Sequence, residues 1–313
     1  MIQPLNLVFC GTPQFAVPTL EKLVEAGFAV RLALTQPDRP KGRGLELVAS
    51  PVKQAAVRLG VSLYQPEKIK NNEELRTRLR EINPDAIIVV GYGRIIPKWM
   101  LDLPRFGNIN LHASLLPRYR GAAPIQWAIA NGESVTGVTT MRIDEGLDTG
   151  DILLQQELGI ADDDTAETLS PKLAEIGAEL MIGTLRGIAA GTIKSRSQDN
   201  AAATLAPILT KEEGRLDFSR SAQETYNRFR GFQPWPGAFT TFRGKGLNVT
   251  RMKPASELVP LGTLLVRGNR LLAGCGNDSA VELLELQPEG KRRMPASDFI
   301  HGYRPRPGES LDS

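Results

Sequence analysis

Five apolar residues in a row, Ala86-Ile87-Ile88-Val89-Val90, constrain this chain more than any other stretch. A strand with one wet face alternates apolar and polar side chains, so an unbroken run means that both faces are covered. That is the environment of a parallel strand with helices packed on both sides. The start of the chain has the matching pattern. Leu5 to Cys10 reads as an apolar strand and Gly11-Thr12-Pro13 as a turn; Val17, Leu20, Leu23 and Val24 recur at helical spacing between Ala16 and Ala26, with Gly27 as the stop. Phe28 to Thr35 is the next strand. Strand, helix, strand is how a doubly wound sheet begins. The Gly-x-Gly-x-x-Gly fingerprint is missing after the first strand, which disfavours a dinucleotide cofactor.

The rest of the chain extends this plan. Ser50-Pro51 is an N-cap and N1 pair for a helix to Leu59, followed by a short strand near Ser62 to Tyr64. A charged amphipathic helix over Glu73 to Ile82 ends at Asn83-Pro84. Pro124 to Asn131 is predicted helical, Val135 to Ile143 and Ile152 to Leu158 strands, and Thr165 to Ala189 a long helix. Composition then shifts. Gly191 to Leu209 is rich in Ser, Ala, Gln, Asn and Thr, as a linker is. Beyond it come a helix over Ser221 to Arg230 and a rigid aromatic corner, Phe232-Gln233-Pro234-Trp235-Pro236. Five short strands follow (238–243, 247–253, 263–266, 271–274 and 281–287), separated by Gly, which suggests a small barrel of the oligonucleotide-binding kind. The expected organisation is an α/β domain with a doubly wound, mostly parallel sheet over 1–190, a linker over 191–209, and a C-terminal β-barrel over 210–313.

Composition excludes several classes. The 313 residues allow two domains with proper cores, and 41% hydrophobic with 23% charged content is that of an ordinary soluble protein. No apolar run is long enough to span a bilayer, and no positive n-region precedes Leu5, so neither membrane nor secretion is expected. Cys10 and Cys275 lack metal-like spacing and read as small buried hydrophobes in a reducing cytosol; with only two histidines, a zinc site is disfavoured. From Pro207 onward sixteen Lys/Arg face twelve Asp/Glu, a basic excess that fits a polyanionic partner or, equally, a solvated surface.

Chemistry is concentrated in two stretches. In Asn108-Ile109-Asn110-Leu111-His112, Asn110 and His112 are two apart, so on a strand their side chains share a side, and the chain then breaks into the loop Pro117-Arg118-Tyr119-Arg120-Gly121. Asp144 to Asp151 packs four acids and two glycines into eight residues but lacks the spacing of an EF-hand. An Asn amide donates to a developing oxyanion, a His exchanges protons near neutral pH, and a carboxylate such as Asp148 orients that His or orders a water. Together they fit acyl transfer. Ser114 lacks the G-x-S-x-G elbow of a hydrolase nucleophile. Gly91-Tyr92-Gly93 is a strand end that could admit a flat ligand, or a packing turn. Thr35 to Leu45, with two Pro, two Gly and three basic residues, reads as an exposed loop without helix or strand character, and loops of this length are uncommon unless functional.

Asn110-Leu111-His112-Ala113-Ser114-Leu115-Leu116-Pro117-x-x-x-Gly121, followed by Asp144-x-Gly146-x-Asp148-Thr149-Gly150-Asp151, resembles the signature of the folate-dependent formyltransferases. Phe9 to Phe15, Gly121 to Gln126 and the Thr35 to Gly44 stretch narrow the resemblance to the branch acting on methionyl-tRNA, over almost the whole chain. The resemblance implies a Rossmann-like domain, an OB-like barrel that binds tRNA, 10-formyltetrahydrofolate as formyl donor, no metal, initiator methionyl-tRNA as acceptor, and a cytoplasmic monomer. By position it makes Asn110, His112 and Asp148 catalytic. It assigns Tyr92, Arg94, Ile95, Ile96, Ser114, Leu115, Leu116 and Pro117 to the folate pocket, with Asp144 on the loop closing it. Arg39, Lys41 and Arg43, and Lys291, Arg292 and Arg293, are the implied tRNA contacts. Ala113 stands where many relatives have Gly, and Leu205 to Leu209 lacks the Tyr and Lys expected around Ala206-Pro207. Two rivals stay open: a formyltransferase for a small amine (a nucleotide sugar or glycinamide ribonucleotide), and a non-catalytic RNA-binding protein. The basic loop and barrel weigh against the first, the intact trio against the second.

Overall fold

The computed structural model of the protein describes residues 5–41 and 46–312. The chain divides into two compact units: Met1–Pro124, Val135–Gly159 and Ser170–Ala206 form the first, and Ile125–Ser134, Ile160–Leu169 and Pro207–Ser313 the second.

Elements of the first part follow the predicted alternation: β1 (Asn6–Gly11), α1 (Val17–Glu25), β2 (Ala29–Leu34), β3 (Arg39–Lys41), β4 (Glu46–Val48), α2 (Pro51–Arg58), β5 (Leu63–Tyr64), α3 (Glu73–Ile82), β6 (Ala86–Val90), α4 (Lys98–Leu101), β7 (Asn108–His112), α5 (Pro124–Ala130), β8 (Val135–Arg142), β9 (Ile152–Gly159) and α6 (Ala166–Ala189). Local chemistry sets their ends. The Ser50 side chain accepts from the Lys53 N–H to start α2, Asn72 does the same for α3, and α3 stops at Asn83 in a left-handed conformation before Pro84. A seven-stranded sheet runs β5-β2-β1-β6-β7-β8-β9, with the first five parallel and β8 alone reversed, pairing antiparallel with β7 on one side and β9 on the other. All five residues of β6 are buried, as an apolar run predicts. Strand order reverses between β1 and β6, so their ends at Gly11 and Val90 form the switch point where open α/β sheets bind ligands.

One segment departs from expectation. Residues 35–45 read as structureless, yet β3 pairs antiparallel with β4, Arg39 facing Val48 and Pro40 facing Leu47. Pro40 holds its own φ, and biases Arg39, toward the extended region, which suits a short pair exposed to solvent. Gln65 Nε2 donates to Gln36 O and Asp38 Oδ1, at 2.9 and 2.8 Å, and so anchors the approach to this pair.

The second unit contains α7 (Ala222–Gly231), β10 (Phe239–Phe242), β11 (Lys245–Ala255), β12 (Leu264–Arg267), β13 (Arg270–Cys275), β14 (Ser279–Pro288), β15 (Met294–Pro295) and α8 (Ala296–Tyr303). A capping box between Ser221 and Glu224 opens α7. The five expected strands are present, in the order β10-β11-β14-β13-β12, with the unforeseen β15 on β14. The expected barrel is not closed: among the described residues no pairing joins β10 to β12. Single bridges lie at the end strands instead, Arg215 to Phe239 of β10 and Ser310 to Thr263 just before β12. Phe299 of α8 is fully buried among Leu271, Val281, Leu283 and Leu286, with its ring 5.4 Å from that of Phe242. No helix among the described residues is long and apolar enough to cross a membrane.

Candidate active site

The register of β7 places its two polar residues. Asn110 lies beside Val89 of β6 and Met141 of β8, and His112 beside Thr139. The β8–β9 hairpin supplies the carboxylate. Its base sits at the start of β7, where the Ile143 N–H donates to Asn108 O at 2.8 Å. Loop 143–151 then folds back along the sheet until Asp148 meets His112 near the other end of β7. Gly150 permits the fold, since a Cβ there would stand 1.9 Å from the Arg142 carbonyl oxygen.

His112 is buried. Its Nε2 lies 2.8 Å from the Tyr119 carbonyl oxygen, which can only accept, so Nε2 carries a hydrogen and donates. Its Nδ1 is 3.6 Å from Asp148 Oδ2, just beyond a direct hydrogen bond. The same Oδ2 accepts the Gly121 N–H at 2.9 Å. Both ring nitrogens therefore face acceptors. Gly121 has φ 124°, and a Cβ there would come within 2.5 Å of the Ala206 carbonyl oxygen, so a larger residue would push its N–H out of place. Asn110 is half-buried, and its amide makes no side-chain hydrogen bond among the described residues. It remains able to take an outside partner.

The segment after His112 is pinned rather than loose. Thr139 Oγ1 donates to Ser114 O at 2.6 Å and accepts the Leu116 N–H at 3.2 Å. Gln155 Nε2 donates to Leu116 O at 2.9 Å, and the Leu116 side chain packs with Met141 and Ile152. Ser114 Oγ donates to Arg118 O at 2.6 Å. Leu115 and Pro117 are half-buried.

Other sequence-singled residues scatter. The Tyr92 side chain lies in the core with Cys10, Val89 and Met100, its hydroxyl without a partner among the described residues, and burial pushes the phenol up. The Tyr92 carbonyl, not the ring, meets the neighbouring loop: Gln36 Nε2 donates to it at 2.9 Å. Arg94 Nη1 donates to Glu67 O at 2.5 Å, Ile95 is 93% exposed and Ile96 is buried. Asp144 is engaged in its own turn, accepting the Gly146 N–H at 3.0 Å and the Thr149 hydroxyl at 2.7 Å. Arg39 is exposed and donates to Gln36 Oε1 at 3.0 Å. Lys41 lies on β3 with its side chain outside the described set, and Arg43 lies outside the described residues altogether. Lys291, Arg292 and Arg293 are all exposed between β14 and β15.

Sequence reading missed Thr139, Gln155, the Tyr119 carbonyl and Gln198, whose Nε2 donates to the Asp148 and Gly150 carbonyl oxygens. Thr139 had a signal, being an inward polar position on a strand next to the active stretch; Gln198 had none, one polar residue among many. Both cysteines are free and buried, and burial raises both thiols, Cys10 most strongly. Among the described residues no group of three or more His, Cys, Asp or Glu is placed to hold a metal ion.

Known proteins resemble this arrangement over the whole chain. Residues 5–185 match the formyl transferase family and residues 208–304 the formyl transferase C-terminal domain. A methionyl-tRNA formyltransferase of Koribacter versatilis is 63% identical, covering 97% of this chain and 98% of its own length. Another, of Acidobacterium capsulatum, is 62% identical over 95% of this chain and 96% of its own. Among solved structures, an N-formyltransferase of Helicobacter canadensis, in complex with folinic acid and dTDP-3-aminofucose, superposes with a TM-score of 0.66 at 18% identity, over 90% of this chain and 98% of that one. At that identity the likeness speaks for the fold alone.

Proposed function

The chain belongs to the formyl transferase family, and from that premise we propose that it moves the formyl group of 10-formyltetrahydrofolate to the α-amine of initiator methionyl-tRNA, giving N-formylmethionyl-tRNA for translation initiation. The observation that carries this reading is the meeting of His112 and Asp148 at the end of β7, with Asn110 two residues earlier on the same strand, in a chain with methionyl-tRNA formyltransferases as relatives over nearly its full length.

The folate derivative supplies the formyl group on a leaving nitrogen. The residues fit that chemistry. Asn110 keeps an unpartnered, half-buried amide beside His112, and Gly91 and Gly93 let the chain turn with positive φ at the switch point. As the amine attacks, Asn110 donates to the formyl oxygen, where negative charge builds. His112, anchored through Nε2 on Tyr119 and facing Asp148 through Nδ1, stabilises that charge as a nearby cation when protonated. Asp148 beside Nδ1 holds His112 in place or orders a water, so that the amine proton can reach the leaving nitrogen.

Residues 1–190 serve as the catalytic domain, 191–209 connect it, and 210–313 hold tRNA. Arg39, Lys41 and Arg43 act on the acceptor end, and Lys291, Arg292 and Arg293 contribute on the C-terminal part. The basic excess after Pro207 supports this division. The protein works as a monomer in the cytoplasm. Incubation with 10-formyltetrahydrofolate and Met-tRNA tests the proposal: formyl-Met-tRNA is the expected product. Formylation of a nucleotide-linked amine instead, or RNA binding without turnover, would overturn it.

A further inference from the structure

Residues 195–206, in the stretch that reads as a linker, are bonded to the loop that carries Asp148 and to the loop after β7 that supplies the Tyr119 carbonyl and the Gly121 N–H. Ser195 and Ser197 donate to the two carboxylate oxygens of Asp151, each at 3.0 Å. Arg196 exchanges two backbone bonds with Ile152, at 2.8 and 2.9 Å. Farther along, the Ala206 N–H donates to Arg120 O at 2.7 Å, and Thr204 Oγ1 accepts the Tyr119 N–H at 2.8 Å. Gln198 stands between these two sets. Its Nε2 donates to the carbonyl oxygens of Asp148 and Gly150, at 2.8 and 2.7 Å. Its Oε1 accepts from Arg120 Nε and Nη2, at 3.1 and 2.7 Å. A guanidinium only donates and a carbonyl only accepts, so the partners dictate which way this amide faces. Arg120 is itself buried, and its third bond goes to Asn200 Oδ1 at 2.8 Å.

We infer that Gln198 is a positioning residue for Asp148, an inference that rests on the proposed roles of Asp148 and His112. The loop around Asp148 has little apolar packing to hold it, since Glu145 and Gly146 are exposed and Leu147 is 63% exposed. Asp148 also adopts φ 53°, a conformation rare for a residue with a side chain. Directed bonds must hold it there, and Gln198 supplies one to the Asp148 backbone itself. Gly121, whose N–H meets the Asp148 carboxylate, directly follows Arg120. One amide thus ties the carboxylate and the donor that faces it into a single unit. Releasing it lets both drift from His112, and a displacement of about 1 Å at a reacting group costs up to roughly 100-fold in rate.

Gln198→Leu removes every bond of this amide, whereas Gln198→Glu keeps the acceptor for Arg120 and loses the donors to Asp148 and Gly150, so it keeps the inference testable if the leucine variant fails to fold. With wild type forming formyl-Met-tRNA, both variants are expected to lower kcat by roughly 10- to 100-fold. KM for tRNA and for the formyl donor stays unchanged, and the pH dependence of kcat is displaced. The decisive measurement is a cycle in single-turnover rates: in an Asp148→Ala background, Gln198→Glu costs nothing further. Undiminished kcat in a folded variant, or an equal cost with and without Asp148, overturns the inference and leaves the proposed function standing. Wild type that makes no formyl-Met-tRNA would sink the function, and the inference with it.

Discussion

The end of β7 and the C-terminal sheet are held together by different forces. Around Asn110, His112 and Asp148 the contacts are polar and directed, with Thr139, Gln155, Gln198 and the Tyr119 carbonyl each fixing one backbone or ring position. In the second unit the contacts are apolar: Phe229, Phe242, Leu283 and Phe299 fill one core, and charged pairs such as Arg243–Glu309 lie toward the surface. Burial of apolar area stabilises without specifying an angle, whereas a hydrogen bond is worth little net but fixes distance and direction. A reaction centre needs the second kind of force and a scaffold the first.

Four substitutions break or sharpen this contrast. His112→Ala is the largest: kcat is expected to fall roughly 10²- to 10⁴-fold while the melting temperature and tRNA binding stay near wild type. Near-native turnover would remove His112 from the reaction. Phe299→Ala is the converse, costing about 3–5 kcal/mol of stability in denaturant unfolding, because it leaves a cavity in the second core. A loss of less than about 1 kcal/mol would show that this core is not what holds the unit. Thr139→Val keeps the side-chain volume and strips the hydroxyl from Ser114, Leu116 and Gln155, so unfolding should detect a cost of about 1–3 kcal/mol.

The smallest effect belongs to Glu309. Its bond from the Arg243 side chain, aided by the Arg306 N–H, holds its carboxyl at about 2, below the ordinary 4.5. A depressed folded pKa stabilises fully above the unfolded value and loses that stabilisation as pH falls through the folded one. Glu309→Gln should therefore be less stable than wild type by about 0.5–1 kcal/mol at neutral pH, a gap discounted for solvent exposure. Melting curves should show the gap closing from pH 4.5 toward about 2, and a gap independent of pH would argue against the ion pair.

Much of the architecture is legible before any coordinates. The all-apolar β6, the caps at Ser50 and Ser221, and the stop at Asn83-Pro84 are local signals, and each element stands where they place it. The β3–β4 pair is not legible, because two prolines and two glycines argue against strand while three extended residues a side suffice for a short ladder. Nor is the open path of the C-terminal sheet, since closure depends on tilt and register rather than strand count. Asp148 is singled out by its chemistry and by the resemblance, but only the fold of loop 143–151 sets it against His112.

By itself the amino-acid order determines most of the strands and helices, which faces are apolar, and that Asn110 and His112 share a side of one strand, since these follow from repeats and caps within a few residues. Only the tertiary structure decides that Tyr92 turns into the core, that Ile95 stays in solvent, and that one glutamine in a stretch of polar residues reaches Asp148. Those outcomes depend on partners remote in sequence, and a hydrogen bond exists only where folding brings its donor and acceptor within about 3 Å at the right angle.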